Sequence, residues 1–383
     1  MRKIRAIVYG AGRMGSLIAK YMVAKGVDIV GAIDVNPDLV GQELSRVVEI
    51  GSHIGIKISD QPEKILAQVE ADIVVVSVFT DMERMFPIFK SCLENHLNVI
   101  HTAGGSSYNW SSHPEMTAQL DLIAKAHGVT ITGSGLQDIF LINLAGLLSG
   151  ACHRIDSVTV KENFDLTNFG LATIKQYGVG KTPAEFAHSV AQDHHIKSAL
   201  YSRLALETLI AELGLTLTTL DDSIEPIIGI EDIHCDTLGM VVKAGWAIGM
   251  LRVHNARTAQ NITFRLEESA TIATPAAGTT SDGRSDERSG VSAEGTNDAT
   301  HEIHIQGVPE VRLINDRLCG PVATCAQVVN RIPDVINSPA GYVTVDQLPP
   351  LKFRAYPLQY YLDRQTGLKR DRATIHNDEE PRQ

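Results

Sequence analysis

Residues 10–15 read Gly10-Ala11-Gly12-Arg13-Met14-Gly15, and their neighbours decide what this glycine spacing means. The run before them, Ile4–Tyr9, is apolar and predicts a strand. The run after them, Met14–Lys25, has helical spacing, with Leu17, Ile18, Met22 and Val23 on one stripe. A second β run, Asp28–Ile33, leads into Asp34, 24 residues after Gly10. In a strand–turn–helix setting each glycine has a physical task. Gly10 permits the tight turn, Gly12 lets the backbone approach a pyrophosphate, and Gly15 lets the helix pack close to the strand. The helix N-terminus then offers free N–H groups and a partial positive charge to phosphates. Asp34 is placed to accept hydrogen bonds from ribose hydroxyls, and its charge disfavours a 2′-phosphate. The expected cofactor is therefore NAD or NADP, with NAD favoured; Arg13, which can reach a phosphate, works against that preference.

The alternation continues. Ala71–Phe79 is a nearly unbroken apolar run, as for a strand covered on both faces. Leu97–Thr102 and Val129–Thr132 are two more predicted strands, separated by helical segments at Met82–Asn95 and Met116–His127. Residues 1–140 thus read as a doubly wound parallel sheet, a Rossmann-type dinucleotide-binding domain. Ligands of such sheets sit beyond the C-terminal strand ends. Val78, Phe79, Thr80, Ala103, Gly104 and Gly135 lie there and are expected to contact the cofactor, together with Gly10, Gly12, Arg13, Met14, Gly15 and Asp34.

After Phe140 the texture changes. An apolar helical stretch, Leu141–Ser149, leads to a β pattern at Asp156–Asn163, with Val158, Val160 and Glu162 on one face. Thr182–Gly214 reads as helical. Asn261–Glu268 alternates, with Ile262, Phe264 and Leu266 against Thr263, Arg265 and Glu267; His301–Gln306 does so with Ile303 and Ile305 inward. Residues 141–350 are expected to form an α+β substrate and dimerisation domain with an open, largely antiparallel sheet. Residues 274–300 carry almost nothing to bury and are expected to be a flexible insertion, and 363–383 a polar tail.

The formal charge of −11 opposes binding to a phosphate backbone, which argues against nucleic acid as a partner. No apolar run approaches the ~20 residues that cross a bilayer, and the N-terminal residues do not have the pattern of a secretory signal. Five cysteines, scattered and without a CxxC, read as buried free thiols in a reducing cytoplasm.

Several segments carry a family likeness. They are NVIHTAGGSSYNW (98–110), HGVTITGSGLQDIF (127–140), ENFDLTNFG (162–170), GVGKTPAEF (178–186) and the C-terminal run EIHIQGVPE…TCAQVVNRIPDVINSPAGYVTVDQLP (302–349). With its N-terminal unit similar to dihydrodipicolinate reductase, the chain resembles the 2,4-diaminopentanoate dehydrogenase family, which includes native amine dehydrogenases. The resemblance implies reversible NAD(P)-dependent oxidation of an amine to a ketone with release of ammonia, in a small-molecule substrate, by a homodimer. The chain departs from the family pattern at Gly104 and Gly105, where relatives carry acidic residues and a glutamate handles ammonia and proton transfer. It departs again at Gln137-Asp138-Ile139-Phe140, where relatives tend to read Asn-Pro-Gly-Phe. A ketone/alcohol or imine oxidoreductase that does not use free ammonia is therefore the alternative.

Other residues are candidates for the proton role. Glu162 shares a strand face with two valines, where a carboxyl would have a raised pKa; its alternative is a strand-end glutamate in solvent. Asp138 sits at a strand end and also reads as an N-cap for Ile139–Leu148. His101 ends a strand beside the expected site, with a structural role as its alternative, and Tyr108 can donate a proton to a carbonyl oxygen or serve in aromatic packing. Trp110 is placed to wall the pocket. His194-His195 reads as a helix-surface pair rather than a metal site. Thr167 and Asn168 are pocket candidates through the resemblance alone.

Overall fold

The computed structural model describes residues 2–51, 53–79, 81–102, 109–167, 171–192, 201–272 and 298–363. Strands β1 (Arg5–Tyr9), β2 (Asp28–Ile33), β3 (Ile58–Ser59), β4 (Ile73–Val76), β5 (Asn98–His101) and β6 (Thr130–Gly133) alternate with helices. The helices are α1 (Arg13–Ala24), α2 (Leu44–Val47), α3 (Pro62–Gln68), α4 (Met82–Glu94), α5 (Asn109–Ser112) and α6 (Pro114–His127). A π-helical turn, Asp138–Asn143, runs into α7 (Leu144–Ser149).

The second half holds β7 (Arg154–Asp165), α8 (Leu171–Gln176), α9 (Pro183–Gln192) and α10 (Tyr201–Glu212). Strands β8 (Leu217–Ile228), β9 (Ile233–Cys235), β10 (Met240–Val242), β11 (Ala247–Thr258), β12 (Thr263–Thr271), β13 (Asp298–Val308) and β14 (Val311–Cys319) follow. Then come α11 (Gly320–Asn337), β15 (Gly341–Tyr342) and two 3-10 turns, Val345–Gln347 and Leu358–Tyr361.

The first sheet has the order β15-β6-β5-β4-β1-β2-β3, with every pair parallel. The order reverses between β1 and β4, so a crevice opens at their C-terminal ends. Alternate residues of each strand feed opposite faces. Ala6, Val8, Val75 and Ile100 pack under α1 and α11, through Ile18, Met22, Val328 and Ile332. Ile7, Val74, Val76 and Val99 pack under α4 and α6, through Met85, Phe89, Leu120 and Ala124. The apolar-run strands are therefore covered on both sides, as their composition requires.

The second sheet has the order β14-β13-β7-β12-β11-β8. All its pairs are antiparallel except β7 with β12. Its inner face carries Val158, Val160, Phe264, Leu266, Ile303 and Ile305 against Leu141, Ala205, Leu206 and Leu209. Its outer face is polar, with Lys161 paired to Glu267 at 3.3 Å and Arg312 to Glu302 at 2.9 Å.

Three expectations change. Residues 320–342, read with the second domain, return to the first: α11 covers one face of the parallel sheet and β15 extends its edge beside β6. Strand β13 begins at Asp298, so the last three residues of the expected insertion belong to the sheet; residues 274–297 and the tail beyond Asp363 lie outside the described residues. Of the cysteines, all free, Cys92, Cys235 and Cys325 are buried, but Cys152 and Cys319 are only partly so. Among the described residues no helix is long and apolar enough to cross a membrane.

Candidate active site

Gly10 turns the chain at the end of β1 with φ +99°, and a Cβ there would meet the Ser77 carbonyl oxygen at 2.3 Å. A Cβ on Gly15 would meet the Gly10 carbonyl oxygen at 1.7 Å, so α1 can approach β1 this closely only with glycine. Gly12 differs: nothing lies within 4 Å of where its Cβ would stand. It is exposed and serves as the N-cap of α1 without a side-chain cap, leaving the first-turn N–H groups open to a ligand. Arg13 is exposed beside it and Met14 half-buried. Asp34 Oδ2 accepts from the Ala11 N–H at 2.7 Å and Oδ1 from the Asn36 N–H at 2.8 Å. The carboxylate is thus fixed at the mouth of the turn.

Val78 and Phe79 follow β4, half-buried. Val78 Cγ2 is 3.1 Å from the place of a Gly10 Cβ, and the Arg84 guanidinium lies 3.5 Å from the centre of the Phe79 ring. Gly135 is buried against the Gln137 side chain. Thr80, Ala103, Gly104, Tyr108, Asn168, His194 and His195 lie outside the described residues.

Two expected catalytic positions are placed differently from the reading above. His101 shares its side of β5 with Val99 and therefore points into the core under α4, not out of the strand end. Its ring is fully buried, 4.5 Å from that of Phe89, with Tyr342 Oη 3.4 Å from Nε2; burial holds its pKa down at about 3. Asp138 is not a cap. It starts the π-turn, fully buried, where Oδ2 accepts from Ser134 Oγ at 2.8 Å and faces Arg331 Nε and Nη2 at 3.4 Å each. Burial raises its pKa against the pull of Arg331. Arg331 Nη1 also reaches Asp334 at 3.5 Å and the Pro349 carbonyl at 2.5 Å. Gln327 Oε1 accepts from the Ile139 N–H at 3.1 Å, so two side chains of α11 hold the turn. Trp110 packs edge-on to Tyr342 in the first domain's core, and Thr167 bonds to Asp165 and to the Ile272 carbonyl.

Glu162 is on the buried face of β7, 1% exposed. It does not stand alone. His301 on β13, Glu162 on β7, Glu268 on β12 and Arg252 on β11 are directly opposite one another in register, forming one row across four strands. Arg252 Nη1 donates to Glu268 Oε1 at 2.8 Å, and Tyr177 Oη donates to the same oxygen at 2.8 Å. Tyr201 Oη, at the start of α10, donates to Glu162 Oε2 at 3.3 Å. Burial, and then the neighbouring Glu268, raise the Glu162 pKa well above the ordinary carboxylate range; burial lowers His301 to about 4. The Phe140 ring of the π-turn lies 5.2 Å from that of His301, which joins the row to the end of β6.

Beneath the row, Ser202 Oγ lies 2.9 Å from His254 Nε2, and His254 Nδ1 lies 2.8 Å from Asp222 Oδ1. This series anchors the start of α10, and hence Tyr201, to the sheet. The sequence reading found Glu162 but missed Glu268 and His301. Both continue alternations it recognised: Glu268 follows Phe264 and Leu266, and His301 precedes Ile303 and Ile305, on the inward parity. Arg252, Tyr177 and Tyr201 carried no comparable signal.

A doubly wound sheet with an open glycine turn and a fixed acid at its mouth, joined to a second sheet with a buried ionisable row, defines a nicotinamide-dependent oxidoreductase. The family model described as the 2,4-diaminopentanoate dehydrogenase C-terminal domain matches residues 139–355, more than half of the chain, and that of the dihydrodipicolinate reductase N-terminus matches residues 4–131. The chain belongs to the 2,4-diaminopentanoate dehydrogenase family. It is 26% identical to a 2,4-diaminopentanoate dehydrogenase of Acetoanaerobium sticklandii, over 91% of this chain and 94% of that one. The structure of an amine dehydrogenase from Mycobacterium smegmatis matches with a TM-score of 0.80 and 34% identity, over 93% and 98% of the two chains. A myo-inositol 2-dehydrogenase from Lactobacillus plantarum, at 13% identity, TM-score 0.54 and 90% and 93% coverage, shares the fold.

Proposed function

We propose that the chain transfers hydride between NAD and a carbon bearing an amine, imine or carbonyl group in a small organic molecule. The observation that carries this reading is the pairing of the open Gly12 turn with a buried, protonatable carboxyl, Glu162, in the adjoining domain. The residues fit a dinucleotide. Gly10, Gly12, Arg13, Met14 and Gly15 would hold the pyrophosphate and Asp34 the ribose, with Val78, Phe79, Thr80, Ala103, Gly104 and Gly135 along the strand ends. When bound, the nicotinamide supplies the hydride donor or acceptor. Asp34 presents a charge where NADP carries its extra phosphate, which supports NAD.

Glu162 takes the proton role. Tyr201 orients it, and Phe140 and Phe164 pack around the neighbouring His301 ring. Asp138 and His101 serve the frame instead, one tied to Arg331 and the other inside the core; Tyr108 remains a candidate donor from sequence. The active form is a homodimer in the cytoplasm, a reading supported by the family likeness and the free cysteines.

One observation favours a second reading: with Gly104 and Gly105 where the family resemblance implies an acid, the enzyme would reduce ketones or imines without free ammonia. Following oxidation of reduced nicotinamide with a ketone panel, with and without ammonium, separates the two. Strict ammonium dependence supports the amine reading; ammonium-independent consumption supports the second. No turnover and no dinucleotide binding would overturn both. Light scattering of the purified chain tests the dimer.

A further inference from the structure

The row of His301, Glu162, Glu268 and Arg252 is only half satisfied. These side chains are 2%, 1%, 0% and 3% exposed. Tyr201 serves Glu162 Oε2, and Arg252 and Tyr177 serve Glu268 Oε1. Glu162 Oε1, Glu268 Oε2 and both ring nitrogens of His301 have no hydrogen-bond partner. His301 Nδ1 lies 3.1 Å from Glu162 Oε1 without the alignment of a bond. Buried polar atoms are normally paired, so a cluster of orphans on adjacent strands marks a place where a polar partner is missing.

The orphans also state its chemistry. Carboxylate oxygens accept, and a neutral imidazole accepts through one nitrogen and donates through the other, so among these atoms three acceptors stand against one donor. Two carboxyls face a single guanidinium, so the row has room for one more positive charge. In the free protein a proton on Glu162 fills that role, driven there by burial and by Glu268. The charged and titratable groups packed around Glu162 are Glu268, Arg252, Tyr177, Tyr201 and His301.

We propose that this row is a binding site for ammonium, or for the protonated primary amine of the substrate, which displaces the Glu162 proton. The proposal rests on the amine reading above and assigns the nitrogen's place within it. On binding, the Glu162 O–H bond breaks and its proton leaves to solvent, while ammonium N–H groups donate to Glu162 Oε1, Glu268 Oε2 and His301. To free the nucleophile, one N–H bond of ammonium breaks, its proton returns to Glu162, and the nitrogen keeps the electron pair. No electrons are exchanged. The Phe140 contact keeps the row beside the C-terminal end of β6, on the side of the parallel sheet where ligands of doubly wound folds bind.

The test is calorimetric titration of ammonium chloride into the full-length, cofactor-free protein, in two buffers of different ionisation enthalpy, with potassium chloride and tetramethylammonium chloride in parallel. The proposal expects saturable ammonium binding with release of about one proton, at least tenfold weaker binding of potassium, and none of tetramethylammonium. Glu162→Gln should abolish the proton release, and Glu268→Gln should weaken binding at least tenfold. Should either variant fail to fold, His301→Gln, which puts an amide in place of the imidazole, must still shift ammonium affinity. Absence of saturable binding, equal affinity for potassium, or ammonium binding indifferent to these substitutions overturns the site. Ammonium binding without any amine turnover would leave the site standing and remove the amine reading. Ammonium-dependent turnover with an ammonium KM unchanged in Glu162→Gln and Glu268→Gln would do the reverse.

Discussion

The Ala11 N–H donates to Asp34 Oδ2 at 2.7 Å, tying the glycine turn after β1 to the end of β2. The same carboxylate therefore shapes the turn and stands where the adenosine ribose is expected. Replacing Asp34 by Asn keeps the size, removes the charge and weakens the bond. Hydrogen bonds to charged groups contribute about 1.5–3 kcal/mol, so NAD affinity in Asp34→Asn should fall roughly 10–100-fold, with NADP affinity unchanged or improved. Fluorescence titration with both cofactors checks this; a parallel loss for the two would show that Asp34 only supports the turn.

Gly10 and Gly12 should respond oppositely to the same change. At Gly10 an alanine meets the Ser77 carbonyl at 2.3 Å with φ at +99°. Strain of this kind costs about 1–3 kcal/mol, read as a lower melting temperature. At Gly12 an alanine meets nothing in the free protein, so Gly12→Ala should melt like the parent and lose cofactor affinity. Thermal unfolding with and without NAD separates the two effects.

Arg331 is fully buried between Asp138 and Asp334. Arg331→Met leaves Asp138 without a counter-charge, and breaking such a pair costs about 3–5 kcal/mol. Arg331→Met combined with Asp138→Asn should recover much of that loss in urea unfolding. A double variant as unstable as the sum of the two singles would mean the pair is not coupled.

The buried titratable groups set a pH window. His301 is held at about 4 and His101 at about 3, below the ordinary value of 6.5. Below pH 6.5 the unfolded chain takes up protons that the folded chain refuses, so each histidine costs stability at up to ~1.4 kcal/mol per pH unit until its folded value is reached. His301→Asn should therefore lose less stability than the parent between pH 6.5 and 4. Glu162 has the opposite phase. Its folded pKa is raised, so its protonated form stabilises at low pH and that advantage is lost as pH rises above the ordinary 4.5. Glu162→Gln should melt increasingly above the parent from pH 5 to 8. Flat difference curves for both variants would show that neither group is held as the structure places it.

The cofactor half was legible from local chemistry. Gly10, Gly12, Gly15 and Asp34 lie within 25 consecutive residues, and their roles follow from backbone geometry and short-range spacing. Glu162 was legible from parity alone, because it continues Val158 and Val160. Its neighbours in the row come from strands distant in the chain, and only register puts Glu268 and His301 beside it. Asp138 misled because its partner, Arg331, is 193 positions away; nothing near Asp138 announces a buried guanidinium. His101 was open to two readings at a strand end, and the pleat, which turns its ring inward against Phe89, favours the structural one. The return of α11 and β15 was hidden for a related reason: an amphipathic helix does not name the sheet it covers.

That return has a consequence for how the protein is made. One face of the parallel sheet, with Ile18 and Met22 of α1, is completed by Val328, Val329 and Ile332, which leave the ribosome some three hundred residues later. The glycine turn is therefore synthesised first but stands on a half-covered sheet until nearly the whole chain has emerged. Residues 1–140 expressed alone would present that bare apolar face to solvent. The strands of the second sheet, from Arg154 to Cys319, lie in the chain between the first six strands of the parallel sheet and the helix and edge strand that complete it.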